Sequence, residues 1–246
     1  MRAVVLHSHG GPEVLTIERV TDPVPGPDEV VVDVAATALN RADLLQRMGL
    51  YPDPRRLSPE IPGLEFAGTV SACGERARMW QVGDRVMGIE AGGAYAERIA
   101  THERQLLRVP DGLDLVAAAG IPEVFLTAWD ALVLQGGLTS GRWALVHAGA
   151  SGVGTAAIQL AKAIGARIAV TCSSGKAQAC RDLGADLVFE RSPHDWLSDA
   201  KSAVPDGFDT VLDVIGGEEV DRNLQVVATR GTIVQGQSLV TEHQAE

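Results

Sequence analysis

The chain has 246 residues, a formal net charge of −11 and a hydrophobic fraction of 46%. This length allows two modest domains or one large one, and the apolar fraction is sufficient for a sizeable core. The acidic balance argues against a nucleic-acid partner, because phosphate binding requires a basic face. Abundant glycine (27 residues) and few aromatic residues (4%) favour an α/β architecture over a β-sandwich.

Cysteine content and hydropathy indicate the compartment. Cys73, Cys172 and Cys180 show no close-paired spacing, so we expect small buried apolar residues in a reducing environment. No apolar run approaches the ~18 residues of a membrane span, and the short N-terminal run lacks the apolar core of a signal peptide. The sequence therefore predicts a cytoplasmic protein with no membrane partner.

The first part of the chain predicts a β-rich domain. Residues 41–48 have helical spacing with Leu44, Leu45 and Met48 on one side, and two prolines predict a loop at residues 51–54. Glycine and proline clusters separate the remaining β-prone runs. The predicted strands cover residues 3–6, 15–20, 30–34, 68–72 and 85–89.

After residues 110–112 the pattern alternates between helix and strand, as in βαβ units. This alternation predicts a doubly wound sheet of five parallel strands, and we place the domains at residues 1–114 and 115–246. The predicted helices cover residues 115–119, 124–134, 153–164, 176–183 and 218–227. The predicted strands cover residues 143–146, 167–171, 187–189, 210–214 and 232–235.

A glycine-rich turn follows the predicted strand at residues 143–146 and opens directly into a helical pattern. Glycines allow close backbone approach, and a helix N-terminus adds unpaired N–H donors and partial positive charge, which suit a pyrophosphate. The usual fingerprint is G-x-G-x-x-G, and Ser151 replaces its middle glycine. A tight turn that binds nothing remains the alternative. The candidate cofactor-binding residues here are Gly149, Ala150, Ser151, Gly152, Val153 and Gly154.

The segment after the second predicted strand favours NADPH over NADH. An Asp or Glu near this point usually binds the ribose 2′-OH of NAD, and residues 171–176 contain neither. Ser173, Ser174 and Lys176 suit a 2′-phosphate, and Arg191 after the third strand can reach the same place. In the alternative interpretation, Ser173 is a helix N-cap and Lys176 is a solvated first-turn residue.

Several motifs together resemble the medium-chain dehydrogenase/reductase superfamily. Within it the chain looks most similar to the zinc-free quinone oxidoreductases of the p53-inducible, PIG3-type branch. The resemblance implies a GroES-like β domain followed by a Rossmann domain. The motifs that carry it are residues 38–47, 63–65 and 121–128, the glycine-rich turn, and residues 213–217.

Residue types argue independently against zinc, because a catalytic zinc needs three protein ligands. Asn40 stands where zinc alcohol dehydrogenases carry a ligand cysteine, and Leu64 replaces the histidine before Glu65. The six histidines show no ligand spacing, so each is expected to be a surface or packing residue. The Tyr-x-x-x-Lys pattern of short-chain dehydrogenases is absent, and Val153 breaks the G-x-S-x-G elbow of serine hydrolases.

The resemblance implies hydride transfer from NADPH to a quinone or an activated alkene. Asn40 and Tyr51 are the predicted catalytic residues, because each can donate a hydrogen bond to a developing quinol oxygen. The alternatives are a turn-forming asparagine and an aromatic ring packed on prolines. Asp43 lies between Arg41 and Arg47 in sequence and is expected to fix the loop rather than touch substrate.

Three further residues are predicted to bind the cofactor. The resemblance implies that Thr127 faces the nicotinamide, and the alternative is a threonine that bonds back to a helix carbonyl. Ile215 and Gly216 follow the fourth predicted strand, and the carboxyl ends of such strands bind ligands in doubly wound sheets.

The tail departs from the family pattern. The family continues after residue 235 with a further strand, often a dimer edge, and with helices that return to the first domain, whereas residues 236–246 are polar. We therefore expect a Rossmann domain that is incomplete at its C-terminus, an exposed edge strand and a homodimer left open. The alternative function is a weakly active or inactive NADPH-binding short form, acting as a sensor or partner of a full-length homologue.

Overall fold

The computed structural model describes residues 1–51, 60–191 and 195–236. The chain divides into two compact units, Met1–Glu123 and Val124–Glu246. The domain boundary after residue 114 stays a prediction, and the structural division comes later in the chain. Most of the predicted loop at residues 51–54 and the polar tail beyond Gly236 lie outside the described residues.

The first unit is built on antiparallel sheet. Strands β1 (Arg2–Leu6) and β2 (Leu15–Arg19) pair with each other. A second sheet has the order β6-β3-β4-β5-β7. Its strands are β3 (Glu29–Thr37), β4 (Glu65–Cys73), β5 (Arg85–Ile89), β6 (Arg98–His102) and β7 (Leu106–Arg108), and the helices of the unit are α1 (Arg41–Arg47) and α2 (Leu115–Ala118). This arrangement confirms the predicted GroES-like β domain.

Two features of this unit differ from the sequence prediction. Strands β6 and β7 were not predicted, because β6 buries only Ile99 and Thr101 and β7 has three residues. Helix α1 does not bury the predicted apolar side. Leu45 is buried, but Leu44 and Met48 are 50% and 48% exposed, while the polar Asp43 and Gln46 are buried.

The second unit contains a parallel sheet with the order β10-β9-β8-β11-β12, which confirms the predicted doubly wound architecture. Its strands are β8 (Trp143–Val146), β9 (Arg167–Cys172), β10 (Leu187–Glu190), β11 (Phe208–Asp213) and β12 (Val227–Gln235). Its helices are α4 (Gly152–Ala163), α5 (Ala177–Asp182), α6 (Trp196–Ala203) and α7 (Glu219–Asn223). Helix α3 (Pro122–Trp129) spans the division and continues as the π-helix Asp130–Gln135.

Both faces of the parallel sheet are buried, as the alternation along β8 illustrates. Ala144 and Val146 pack into one apolar cluster, and Leu145 packs into another with Trp196 and Phe208. Successive side chains of a strand point to opposite faces, so each face has its own core. Helix α6, which was not predicted, supplies Trp196 to the second core.

One helical stretch corrects the expectation that no apolar run approaches the length of a membrane span. Leu115–Gln135 is long and apolar enough by length and composition alone, with 33% of its window buried. The stretch is interrupted at residues 119–121, and Ala128 and Leu132 belong to a core cluster. A core helix meets the same criterion, so the stretch is weak evidence for a membrane span.

Candidate functional site

The turn between β8 and α4 is tied to its neighbours at both ends. Ala148 adopts a left-handed φ of 54°, and the N–H of Gly149 donates to the carbonyl of Thr171 on β9 at 2.9 Å. Ser151 is the N-cap of α4, and its Oγ accepts from the N–H of Gly154 at 3.1 Å. The serine that departs from the glycine fingerprint therefore stabilises the start of the helix.

The glycines of this turn are required by packing. A Cβ on Gly149 would lie 2.4 Å from Val170 Cβ, and a Cβ on Gly154 would lie 2.5 Å from the carbonyl oxygen of Ala148. A Cβ on Gly152 would approach the side chain of Val124 to 2.8 Å. The tight-turn interpretation thus explains the glycines without any ligand.

Free donors are what the tight-turn interpretation does not explain. Among the described residues, none accepts a hydrogen bond from the N–H groups of Ala150, Gly152 and Val153. These three groups lie at the N-terminus of α4, where the helix dipole favours an anion. The turn therefore fits the pyrophosphate of a dinucleotide, and the binding role of these residues stays a prediction.

The residues predicted to choose between NADPH and NADH lie together at the carboxyl end of β9. Ser173, Ser174 and Lys176 are exposed, and the N–H of Arg191 donates to the carbonyl of Cys172 at 3.0 Å. Ser173 stands at an N-cap position, but its side chain makes no capping hydrogen bond. This group of residues fits a 2′-phosphate.

The sequence analysis missed one carboxylate at this edge. Glu190 ends β10 and is paired in register with Cys172. Burial and the nearby thiol of Cys180 raise the pKa of Cys172 to about 11, so this thiol stays protonated near neutral pH. Glu190 was not predicted because the acidic residue that binds the ribose of NAD is expected at the end of β9, and Glu190 lies on the next strand, β10.

A buried polar chain links the carboxyl ends of β8, β9 and β11. His147 Nδ1 lies 2.9 Å from Thr171 Oγ1, and its Nε2 lies 2.7 Å from Asn223 Oδ1. Asn223 Nδ2 donates to Asp213 Oδ2 at 2.9 Å. All four side chains are fully buried, so His147 is more than the surface or packing residue that the sequence suggested.

The donors and acceptors of this polar chain define one tautomer of His147. Because Asn223 donates through its amide nitrogen to a carboxylate, its oxygen faces the imidazole and can only accept. Nε2 of His147 therefore carries the proton, and Nδ1 accepts from the hydroxyl of Thr171. Every buried polar atom at these contacts then has a partner, which stabilises the arrangement.

The polar chain that runs from Thr171 through His147 and Asn223 to Asp213 ends at Ile215 and Gly216, which are predicted to bind the cofactor. Asp213 Oδ1 accepts from the N–H groups of Ile215 and Gly216 at 2.8 and 2.9 Å, and Gly216 has a φ of 71°. Thr127 on α3 is exposed, and no described residue accepts a hydrogen bond from its hydroxyl. The alternative in which Thr127 bonds back to a helix carbonyl is therefore absent from the structure.

In the first unit, a cluster of buried polar groups surrounds Asn40. Asn40 Nδ2 donates to Glu65 Oε1 at 2.8 Å, and the N–H of Glu123 donates to Glu65 Oε2 at 2.8 Å. Asp43 Oδ2 accepts from the N–H of Asn40 at 2.7 Å and from the hydroxyl of Tyr95 at 2.8 Å. Among its described contacts, Asp43 is held by these groups rather than by Arg41 or Arg47, and its bond to Asn40 fixes the start of α1.

Burial dominates the electrostatics of this cluster. It raises the pKa values of Asp43, Glu65 and Glu123 above their ordinary values, because charged carboxylates are poorly solvated there. Repulsion from neighbouring carboxylates adds to the rise for Glu65 and Glu123. Burial likewise raises the pKa of Tyr95, followed by the charge of Asp43, so its phenol stays protonated.

A pocket of about 260 Å³ opens beside this cluster, and we name it the acceptor pocket. Tyr51, Leu64, Glu90, Gln105 and Glu123 are among its lining residues. The structure thus brings Tyr51 to a cavity, whereas Asn40 is half-buried against Glu65 and does not line the pocket. Glu65, Tyr95 and Glu123 were not predicted as site residues, because their burial beside one another depends on non-local pairing.

A larger groove of about 470 Å³ on the first unit is lined in part by Tyr95 of the same cluster. It is mainly apolar, with Ile17 and Leu39 among its lining residues, and its two charged residues, Arg2 and Glu97, form an ion pair at 2.6 Å. The acceptor pocket is therefore the better candidate for chemistry, because it contains a carboxyl group without such a partner.

The donor set beside the acceptor pocket does not fit a catalytic zinc. Leu64, at 5% exposure, offers only hydrocarbon, and Asn40 turns its amide nitrogen to Glu65. Within residues 1–51, 60–191 and 195–236, no three His, Cys, Asp or Glu side chains form a metal-binding group. The three protein ligands that a catalytic zinc needs are therefore not brought together among these residues.

An antiparallel β unit followed in sequence by a doubly wound parallel sheet is the architecture of nicotinamide-dependent oxidoreductases. Models of the alcohol dehydrogenase GroES-like domain and of the zinc-binding dehydrogenase match residues 26–111 and 152–244. The chain belongs to the medium-chain dehydrogenase/reductase superfamily, whose oxidoreductases bind nicotinamide cofactors.

Solved structures support the same assignment. A quinone oxidoreductase from Pseudomonas syringae pv. tomato is 34% identical with a TM-score of 0.87, over 95% of this chain and 72% of that one. The CurK enoyl reductase is 30% identical with a TM-score of 0.88, over 95% and 73%. The chain is thus similar to reductases of two acceptor classes.

Curated relatives are longer proteins. Mycoketide-CoA synthase of Mycobacterium tuberculosis is 38% identical over 222 residues, 85% of this chain and 5% of that protein. A mouse synaptic vesicle membrane protein VAT-1 homolog-like is 33% identical over 235 residues, 95% of this chain. The chain spans 56% of the length of the mouse relative.

Proposed function

We propose that the chain is an NADPH-dependent reductase that transfers hydride to a quinone or an activated alkene without zinc. The acceptor pocket carries this proposal, because it combines Tyr51 and Glu123, two hydrogen-bonding groups, with an apolar Leu64. Quinones and enones share an electron-poor C=C bond conjugated to a carbonyl. The similarity to a quinone oxidoreductase and an enoyl reductase supports this substrate class.

When bound, the nicotinamide supplies the hydride, and the protein supplies placement and polarity. The N–H groups of Ala150, Gly152 and Val153 would hold the pyrophosphate, and Lys176 and Arg191 would hold the 2′-phosphate. In the acceptor pocket, the phenol of Tyr51 would donate a hydrogen bond to the acceptor carbonyl, which stabilises charge that develops on its oxygen. Asn40 and Glu65 would support this pocket from beneath.

The test is acceptor-dependent oxidation of NADPH by the full chain, after titration with NADPH and NADH and heat unfolding with each nucleotide. We expect NADPH to stabilise the chain more than NADH and the purified protein to oxidise it with small quinones or enones. Ligand at 100 times its Kd stabilises a protein by about 2.7 kcal/mol, which heat unfolding resolves.

Different outcomes separate the candidate functions. Binding of NADPH without oxidation by any acceptor would favour the nucleotide-binding sensor or partner over the enzyme. Absence of binding by either nucleotide would contradict both. A preference for NADH would leave hydride transfer standing and overturn the assignment of Lys176 and Arg191.

A further inference from the structure

We propose that Glu123 is the acid that protonates the reduced acceptor in the acceptor pocket. The inference rests on the proposed reductase function and adds a catalytic residue to it. Hydride transfer to a quinone or an enone leaves negative charge on the acceptor, and a proton must follow. Glu123 lines the pocket in which that charge would develop.

The main chain fixes the position of Glu123. It follows Pro122 in the first turn of α3, and proline is favoured at the first position of a helix. The N–H of Glu123 is one of the donors that a helix start leaves unpaired, and Glu65 Oε2 accepts from it at 2.8 Å. The backbone of Glu123 is therefore fixed at a position from which the residue lines the pocket.

The side chain of Glu123 is available for proton transfer. None of the described residues donates a hydrogen bond to its carboxyl group or forms an ion pair with it. Glu65 accepts from Asn40 and from the N–H of Glu123, and Asp43 accepts from Tyr95 through Oδ2, while its buried Oδ1 has no partner among the described residues. Among these three carboxyl groups, Glu123 is the one that lines the pocket.

The surroundings of Glu123 favour its protonated form. Glu65 on β4, Asp43 on α1 and Glu90 after β5 are the carboxyl groups near it, and Tyr51 is the nearby phenol of the pocket. Burial raises the pKa of Glu123 most, and the charges of Glu65 and Asp43 raise it further. The dipole of α3 opposes this rise, because a helix N-terminus favours the charged carboxylate. Burial and the two neighbouring carboxylates act in the other direction and raise the pKa.

The proposed step is balanced. When bound, the nicotinamide would supply hydride from its own C–H bond, and the new C–H or O–H bond on the acceptor would leave an electron pair on the acceptor oxygen or its conjugated carbon. The O–H bond of the Glu123 carboxyl breaks, and its proton forms the O–H or C–H bond of the product. Water at the pocket mouth then returns a proton to the carboxylate.

The test compares Glu123→Gln with Glu123→Asp and with Glu75→Gln, a control at an exposed carboxyl group of the same unit. We expect Glu123→Gln to lower kcat on the order of 100-fold, which is within the usual effect of a general acid, with little change in KM. Wild-type kcat should fall as pH rises through the raised pKa of Glu123, and the variant should lose this limb. Glu123→Asp should restore part of the rate, and Glu75→Gln should match wild type.

A second measurement does not depend on turnover. Infrared spectra of the nucleotide-free protein across a pH series should contain, below the raised pKa of Glu123, a buried carboxylic-acid band that Glu123→Gln removes and Glu75→Gln retains. Persistence of that band in Glu123→Gln, or an unchanged kcat and pH profile, overturns the role of Glu123 while leaving the reductase intact. Absence of acceptor-dependent oxidation in wild type overturns the reductase, and the proton-transfer role with it.

Discussion

Single side chains at the end of β9 are predicted to set the nucleotide preference. Lys176→Ala should weaken NADPH binding relative to NADH by roughly tenfold, since one solvent-exposed charge-assisted contact contributes about 1.4 kcal/mol or less. Titration of both nucleotides measures the ratio. Lys201→Ala is the matched control, because that amine bonds to Gln225 on another part of the surface.

An unchanged ratio of NADPH affinity to NADH affinity in Lys176→Ala would contradict the assignment of Lys176 to the 2′-phosphate.

At the scale of single residues, the sequence was informative where the residues of a site are adjacent in the chain. The hydroxyls and the lysine after β9 could be read from adjacent positions, and Arg191 could be placed beside them because it follows the next strand in the chain. Glu65, the partner of Asn40, and Tyr95, a partner of Asp43, were missed because these contacts join residues that lie 25 and 52 positions apart.

At the scale of elements, the turn before α4 should tolerate no extra atom. Gly154→Ala places a Cβ 2.5 Å from a backbone carbonyl, so we expect it to cost about 1–3 kcal/mol or more in unfolding free energy. Gly175→Ala is the control, because no atom lies within 4 Å of its added Cβ. Chemical denaturation of both variants tests the contrast, and equal stability of the two would show that the turn relaxes.

The polar chain at the carboxyl ends of β8, β9 and β11 gives a second element-scale prediction. Asn223→Ala removes the partner of both His147 Nε2 and Asp213 Oδ2. Each buried polar group left without a partner costs about 1–3 kcal/mol, so denaturant unfolding should register a clear loss. Nucleotide affinity should also fall, because Asp213 holds the N–H groups of Ile215 and Gly216. An unchanged free energy of unfolding in Asn223→Ala would contradict a stabilising role for the hydrogen bonds from Asn223 to His147 and Asp213.

Element types followed well from sequence periodicity in the second unit, because long βαβ alternation is a local signal. Helix α6 was nevertheless missed, although Asp195 caps it and Trp196 and Ala200 lie four residues apart on its buried side. In α1 the apolar pattern misled, because the buried side carries Asp43, which accepts from Tyr95, and Gln46, which donates to Glu60, while Leu44 and Met48 are about half exposed. The periodicity of apolar residues cannot predict a helix whose buried side carries polar residues that hydrogen-bond to distant parts of the chain.

At the scale of the whole molecule, the buried carboxyl groups should make stability depend on pH. The pKa values of Asp43, Glu65 and Glu123 are raised by burial, so the folded state binds more protons than the unfolded state between the ordinary and raised values. Their contribution is fully present below the ordinary carboxyl pKa of about 4 and is lost as pH rises through the raised values.

Glu123→Gln isolates this contribution. The variant should be more stable than wild type at neutral and alkaline pH, and the difference should shrink as the medium becomes acidic. Heat unfolding across a pH series measures it. The pKa of surface carboxylates such as Asp28 is lowered by the hydrogen bond from Arg76, so their contribution to stability is lost as pH falls. These groups are the same in wild type and in Glu123→Gln, so they cancel in the comparison. A difference independent of pH would contradict the assignment.

The single tautomer of His147 also gives the molecule an internal probe. Its Nε2–H is shielded from solvent and bonded to Asn223, so the proton should exchange slowly enough to give a resolved downfield resonance. Trp196 lies edge-on, 5.0 Å from the imidazole centroid, and its ring current would make that resonance sensitive to small displacements. Binding of nucleotide at Ile215 and Gly216 can then be followed as a shift of the His147 resonance, without an added label.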